Sequence, residues 1–234
     1  MNTNNMKIGF IGAGYMGYGM AHNLLKNKIS LSVIANKNRK PIDKLISQGA
    51  VESKTLKDLA EFSNIILMCV TNTPIAIEII QQILPYLKKN TFVIGLTTHH
   101  ATGSIEASNI LKSRNIRYVE SPVMGGPVQA EKGDLGAIVG ASNKDFEEAK
   151  NILNNFCKDV IHFGEIGMGA KTKLINNFLS LGTATFVIET LKAANHLNID
   201  INKLYNIAKL GSGNSGALNR IADRAILGDF KGYI

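Results

Sequence analysis

Cysteine is scarce. Cys69 and Cys157 are the only two in the chain, too few for a disulfide framework, and Cys69 sits in an apolar run that reads as a buried strand. A disulfide-stapled secreted scaffold is thereby excluded, and a reducing cytoplasm is the expected compartment. The opening residues, Met1 to Met6, lack the charged-then-apolar order of a signal peptide. The longest uncharged stretches are broken by Asn, Pro, Gly or Thr and read as short of the roughly 18 apolar residues a membrane span needs. A soluble protein with no membrane partner is expected. The net charge is +8, yet the lysines are scattered (Lys26, Lys28, Lys54, Lys57, Lys88, Lys89) and no basic run is interleaved with stacking aromatics. Nucleic acid is therefore not an expected partner, whereas a basic chain suits an anionic cofactor and acidic substrates. No Cys, Asp or Glu set stands at metal-ligand spacing. His99 and His100 are adjacent, so their side chains point apart, and they read as loop residues at a pocket rim rather than as a metal site. Neither a Ser-His-Asp arrangement near a strained elbow nor a short-period repeat appears.

What is present is an ordinary globular balance: 234 residues, 45% hydrophobic and 19% charged, enough for one large domain or two small ones. Short apolar strands are read at 7–11, 31–35, 65–70, 92–94, 118–120, 137–139 and 160–163. Helical segments lie between most of them, at 15–26, 41–47, 75–87, 102–113 and 145–156. This alternation points to an α/β fold, a doubly wound, mostly parallel sheet covered on both faces. After Gly164 the pattern changes to one long proline-free helix from Met168 to about His196, then helices near 202–210 and 217–227. The expected organisation is a Rossmann-type domain over 1–165, followed by an all-helical domain over 166–234 that looks shortened.

Gly12-Ala13-Gly14-Tyr15-Met16-Gly17 is a G-x-G-x-x-G run. In a chain with 22 glycines such a run can arise by chance, but this one follows a strand and opens a helix. Gly12 permits the tight turn and Gly14 the approach of the backbone to a pyrophosphate. Gly17 permits close helix–strand packing, and the helix N-terminus offers free N–H groups to the anion. The plain alternative is a strand–helix turn without ligand. Which dinucleotide binds is read from the end of the second strand. NAD-binding versions carry an acidic residue there for the ribose hydroxyls, whereas Asn36, Lys37, Asn38 and Arg39 offer amides and cations and no carboxylate. That turn suits a 2′-phosphate, so NADP is the expected cofactor, with NAD as the alternative. Cys69, Val70 and Thr71 are further expected cofactor residues.

Two later segments carry the chemistry. Glu120-Ser121-Pro122-Val123-Met124-Gly125-Gly126-Pro127 ends a strand, and its paired glycines expose N–H groups able to bind a carboxylate. In Gly167-Met168-Gly169-Ala170-Lys171-Thr172-Lys173, followed by Asn176-Asn177, Lys173 and Asn177 share a helix face. A lysine desolvated there has a lowered pKa and exchanges protons near neutral pH. Lys171 points elsewhere and reads as solvated.

In this order the pieces resemble the β-hydroxyacid dehydrogenase family, which includes 3-hydroxyisobutyrate dehydrogenases and tartronate-semialdehyde and glyoxylate/succinic-semialdehyde reductases. The resemblance runs from about Lys7 to Phe230. It covers the glycine turn with its Met16, the D-A-P-V-S-G-G segment (Glu120 to Gly126) and the G-x-G-x-x-x-K-x-x-N-N helix start. It implies that Lys173 is the general acid/base and that Asn177 helps hold the substrate, with Met124, Gly125 and Gly126 as its other contacts. It also implies that Thr97-Thr98 lies beside the nicotinamide ribose. NADP-preferring members carry Asn-Arg-Thr where Asn36-Lys37-Asn38 stands. The expected activity is hydride transfer between NADP(H) and a small β-hydroxy acid or its semialdehyde, in a homo-oligomer assembled through the helical domain. The alternatives are a non-catalytic NADP-binding scaffold and an imine reductase-like enzyme, although imine reductases usually lack the lysine. Phosphogluconate dehydrogenases, similar in fold, carry a histidine where Asn176 stands. Two departures stand out: Met124 replaces a serine that binds the substrate carboxylate, and Glu120 replaces an aspartate. The family also continues through further helices where this chain stops, so a truncated second domain is expected.

Overall fold

The computed structural model describes residues 6–100 and 102–228. Between Leu174 and Ile175 the chain divides into two compact units.

The first unit is built on a nine-stranded sheet. Its strands are β1 (Lys7–Ile11), β2 (Ser30–Ile34), β3 (Val51–Ser53), β4 (Ile65–Met68), β5 (Phe92–Gly95), β6 (Arg117–Glu120), β7 (Val123–Met124), β8 (Leu135–Gly140) and β9 (Cys157–Gly164). They lie in the order β3-β2-β1-β4-β5-β6-β8-β7, with β9 paired to β8. The first six are all parallel in the Rossmann order. β8 then runs antiparallel to β6 and β7. Between the strands lie α1 (Gly17–Lys26), α2 (Lys40–Ser47), α3 (Leu56–Phe62), α4 (Thr73–Ile83), α5 (Gly103–Lys112), α6 (Pro127–Lys132) and α7 (Asn143–Leu153). The sequence pattern identifies the parallel sheet but passes over β3, α3, β7 and α6. All four are short, and only Ser53 of β3 is buried, so none spans two full hydrophobic periods.

Alternation within the central strands explains why they read as continuous apolar runs. Ile65 and Leu67 point into one core with Phe10, Phe92 and Ile94. Ile66 and Met68 point into the opposite core with Ile80, Val93 and Leu111. Helices cover both faces, so every residue of β4 is buried. Truncating Leu67 to alanine there would cost about 2–5 kcal/mol. Local chemistry sets the helix starts: Asn72 accepts from the Ile75 N–H, Ser142 from that of Asp145, and Thr55 and Asp58 form a reciprocal capping box.

A long helix, α8 (Met168–His196), begins in the first unit. The sequence places the domain change between 165 and 166, but the first turn of α8 is tied to β6 and Ala170 is buried, so the compact units divide within the helix. By length and composition α8 is also apolar enough to cross a membrane. This corrects the expectation that no segment reaches that length: its Asn, Ser and Thr interruptions are uncharged and dilute the apolar run without ending it. One such helix is weak evidence for a span, and only 11% of that window is buried.

In the second unit, α9 (Ile201–Ala208) and α10 (Gly216–Ile226) join the remainder of α8 around Val187, Leu191, Tyr205, Leu218 and Ile221. Asp200 and Ser215 cap the two shorter helices. No strand occurs in this unit among the described residues.

Candidate active site

Register across the parallel strands assembles the site. Ile11 pairs with Met68, Met68 with Gly95, and Gly95 with Glu120. The glycine turn, Cys69 to Thr71 and Thr97-Thr98 therefore leave the sheet at the same carboxyl edge, where β6 also ends and the chain runs on through Ser121-Pro122 into β7 along β8. That edge is where open parallel sheets bind ligands. Thr97 ties two of these loops together, its hydroxyl accepting from the Val70 N–H at 3.0 Å.

A cleft of about 660 Å³ opens beside the glycine turn. Gly12 to Gly17, Asn36, Lys37, Asn38, Cys69, Val70 and Thr71 line it, so most of the expected cofactor residues come together. Two do not line it, Arg39 and Thr98. Thr98 is exposed on the loop after β5. Arg39 donates to Glu52 at 2.9 and 3.2 Å and to Asp43 at 3.0 Å. These carboxylates raise the Arg39 pKa, and the guanidinium lowers that of Glu52. The turn without a carboxylate in sequence thus acquires two in space, and the cation they engage is Arg39, while Lys37 stays on the cleft. Leu56, Ile75 and Ile79 add an apolar wall that the sequence pattern does not single out. The only hint is the spacing of Ile75 and Ile79, one helical turn apart.

The three glycines of the turn have separable reasons. Gly12 has a φ of +94°, and a Cβ there would run into the Cys69 carbonyl. A Cβ on Gly17 would strike the Gly12 carbonyl and come within 2.9 Å of Phe10. A Cβ on Gly14 would meet nothing within 4 Å. Protein packing therefore demands the first and third glycines, and the second leaves open space over the turn. Met16, at the start of α1, makes no side-chain capping bond, which leaves that first turn for an anion. These residues fit a dinucleotide pyrophosphate. Burial pushes the Cys69 thiol up to about 11, so it stays neutral.

Further along the edge, the Lys173 ammonium donates to the Met124 sulfur at 3.5 Å. Lys173 is half-buried, and burial holds its amine below the ordinary value of 10.5. Gly125 has a φ of +116°, and a Cβ there would press on Leu135 at 2.9 Å. The Gly126 N–H donates to the Gln129 side chain at 3.0 Å, so one of the two expected carboxylate donors already has a partner. Asn177 follows one turn along α8, in the second unit. His99 is not a rim residue. It is buried, with Nδ1 at 3.2 Å from the Thr73 hydroxyl and Nε2 at 3.4 Å from that of Tyr118. Desolvation, with a smaller contribution from His100, holds it down to about 4. Among the described residues, no cluster of side chains is suited to a metal ion.

Residues 7–164 match the family described as the NAD binding domain of 6-phosphogluconate dehydrogenase. Residues 167–233 match the NAD-binding region of NADP-dependent 3-hydroxyisobutyrate dehydrogenase. The chain belongs to the β-hydroxyacid dehydrogenase family. A 2-(hydroxymethyl)glutarate dehydrogenase from Eubacterium barkeri is 29% identical over 232 residues, 97% of this chain and 77% of that protein. A 3-hydroxyisobutyrate dehydrogenase from Salmonella typhimurium superposes with a TM-score of 0.88 at 21% identity, over 97% of this chain and 80% of that one. An imine reductase from Myxococcus stipitatus in complex with NADP+ superposes with a TM-score of 0.82 at 20% identity, over 97% and 81% respectively. At such identities the two structures establish the shared fold. As a β-hydroxyacid dehydrogenase the chain is an NAD(P)-dependent oxidoreductase of a family acting on CH–OH groups in small molecules.

Proposed function

We propose that this β-hydroxyacid dehydrogenase uses NADP(H) to interconvert a small β-hydroxy acid and its aldehyde or semialdehyde, with Lys173 as the general acid/base. The observation that carries this reading is the Lys173 amine itself. It is half-buried at the carboxyl edge of the sheet, lowered in pKa by desolvation, and fixed against Met124. A lysine so placed gives a proton to a substrate carbonyl oxygen during reduction and takes it from the hydroxyl during oxidation. The nicotinamide, when bound, supplies or accepts the hydride. Gly12 to Gly17 hold the pyrophosphate, while Lys37 with Asn36 and Asn38 meets a 2′-phosphate. Gly125 offers its N–H to the substrate carboxylate, joined by Gly126 once Gln129 yields, and Asn177 serves as a further substrate contact.

The Eubacterium barkeri relative is named for 2-(hydroxymethyl)glutarate, a hydroxymethyl acid, which supports the substrate class. Met124 argues for a substrate with an alkyl portion, since a thioether offers apolar, adaptable surface where a hydroxyl would offer a donor. The test is NADPH oxidation across a panel of semialdehydes, comparing Lys173→Ala with Lys171→Ala. Lys173→Ala should lose roughly 100-fold or more in turnover at nearly unchanged NADPH affinity, and Lys171→Ala should be silent. Similar behaviour of the two variants would remove Lys173 from the chemistry.

A further inference from the structure

Glutamate is among the side chains least often buried without a partner, yet Glu120 is fully buried at the end of β6. The groups its carboxylate accepts from are backbone amides: Gly167 at 2.5 Å, Gly169 at 2.8 Å and Ala170 at 3.2 Å. Gly169 and Ala170 lie in the first turn of α8 and Gly167 immediately precedes it, at the amino end that carries the positive pole of the helix dipole. A carboxylate both satisfies these N–H groups and neutralises that pole. The space around it is shaped to match. A Cβ on Gly140 would overlap the Glu120 carboxylate, and one on Gly169 would press on its Cγ and Cδ at 3.1 Å. Glycine at both positions therefore admits the full reach of a glutamate.

Lys173 lies one turn beyond Ala170 on the same helix, and its amine meets the sulfur of Met124, four residues past Glu120 in the chain. One segment thus grips the start of α8 at two levels, by a carboxylate on its amides and by a thioether at its lysine. We propose that Glu120 is a positioning residue, whose buried carboxylate clamps the first turn of α8 and thereby sets where Lys173 exchanges its proton. The proposal rests on Lys173 as the acid/base. It assigns to Glu120 no contact with substrate or cofactor. Its leverage is geometric, because a displacement of about 1 Å at a reacting group can cost on the order of 100-fold in rate.

The test uses the full chain carrying Glu120→Gln, which keeps the volume but turns an NH2 toward an amide donor, and Glu120→Ala as a second variant. Amide exchange followed by NMR should show protection at Gly167, Gly169 and Ala170 falling at least tenfold in both. Pulse acetylation with acetic anhydride, read by mass spectrometry, should show the ratio of Lys173 to Lys171 modification rising at least threefold as the amine loses its cover. With succinic semialdehyde and NADPH, kcat per folded molecule should fall at least tenfold while the NADPH Kd stays within twofold. A purely structural role would lower Tm and leave the acetylation ratio and kcat unchanged. An acetylation ratio within twofold of wild type in both variants overturns the proposal, as does an unchanged kcat alongside lost amide protection. Failure of the lysine assignment looks different: Lys173→Ala would keep its turnover while the exchange and acetylation effects of Glu120 persisted.

Discussion

Replacing Gly14 by alanine adds one methyl group at a position where the protein leaves it room. Its Cβ would meet nothing within 4 Å, and its φ lies outside the left-handed region. Stability should hold or rise by about 0.4–1 kcal/mol, because alanine leaves the unfolded chain fewer conformations to lose. At roughly 2–4 °C per kcal/mol for a chain of this size, Tm moves up by no more than about 4 °C. The same methyl at Gly12 starts from a φ of +94° and runs into the Cys69 carbonyl. That costs about 1–2 kcal/mol for the backbone conformation and about 1–3 kcal/mol for the overlap, so Tm falls by about 4–20 °C. Nucleotide binding separates the two differently. A methyl over the turn at Gly14 occupies the space through which a pyrophosphate reaches the first amides of α1. NADPH affinity in Gly14→Ala should drop at least tenfold, about 1.4 kcal/mol. Calorimetry of the nucleotide-free protein and fluorescence titration with NADPH measure the two quantities. Binding within twofold of wild type, at an undiminished Tm, would refute the placement of the phosphates over Gly14.

Lys37→Glu should abolish the preference for NADPH over NADH. Arg39→Ala should change the NADPH Kd by less than about threefold, because that guanidinium is engaged by Glu52 and Asp43 and does not line the cleft. Titrations with both nucleotides check this, and a large loss in Arg39→Ala would show that the guanidinium swings to the phosphate. Met124→Ser restores a hydroxyl beside the Gly125-Gly126 turn. A hydrogen bond to a charged group is worth about 1.5–3 kcal/mol, so KM for small hydroxy acids should fall about ten- to a hundredfold with turnover less affected; unchanged selectivity in steady-state kinetics would place specificity on another wall. Burial holds the His99 imidazole down to about 4 from an ordinary 6.5, so in that window the unfolded chain binds a proton that the folded chain refuses. Stability should decline as pH falls from 6.5 toward 4, and urea melts of His99→Gln should show a flatter acid limb than wild type.

The parallel sheet and the phosphate turn were legible in the sequence because they rest on local signals: apolar runs of strand length, and a glycine pattern lodged between a strand and a helix. Lys173 stood out by the same logic, as a lysine on a mostly uncharged helix face. Short elements escaped because fewer than two periods leave no repeat to read, although the Thr55 and Asp58 spacing at the start of α3 was a readable capping signal. What tertiary structure alone decided was pairing between distant residues. Register put Ile11, Met68, Gly95 and Glu120 in one row and so gathered loops far apart in sequence at one edge. β3 brought Glu52 to Arg39, so a residue expected to meet a phosphate has a carboxylate partner across the sheet edge. A carboxylate at position 120 carries no sign in sequence that its donors lie some fifty residues on. Propensity and hydrophobic period act over a few residues and can be read along the chain, whereas the partner of a buried charge is fixed only once the chain has folded back upon itself.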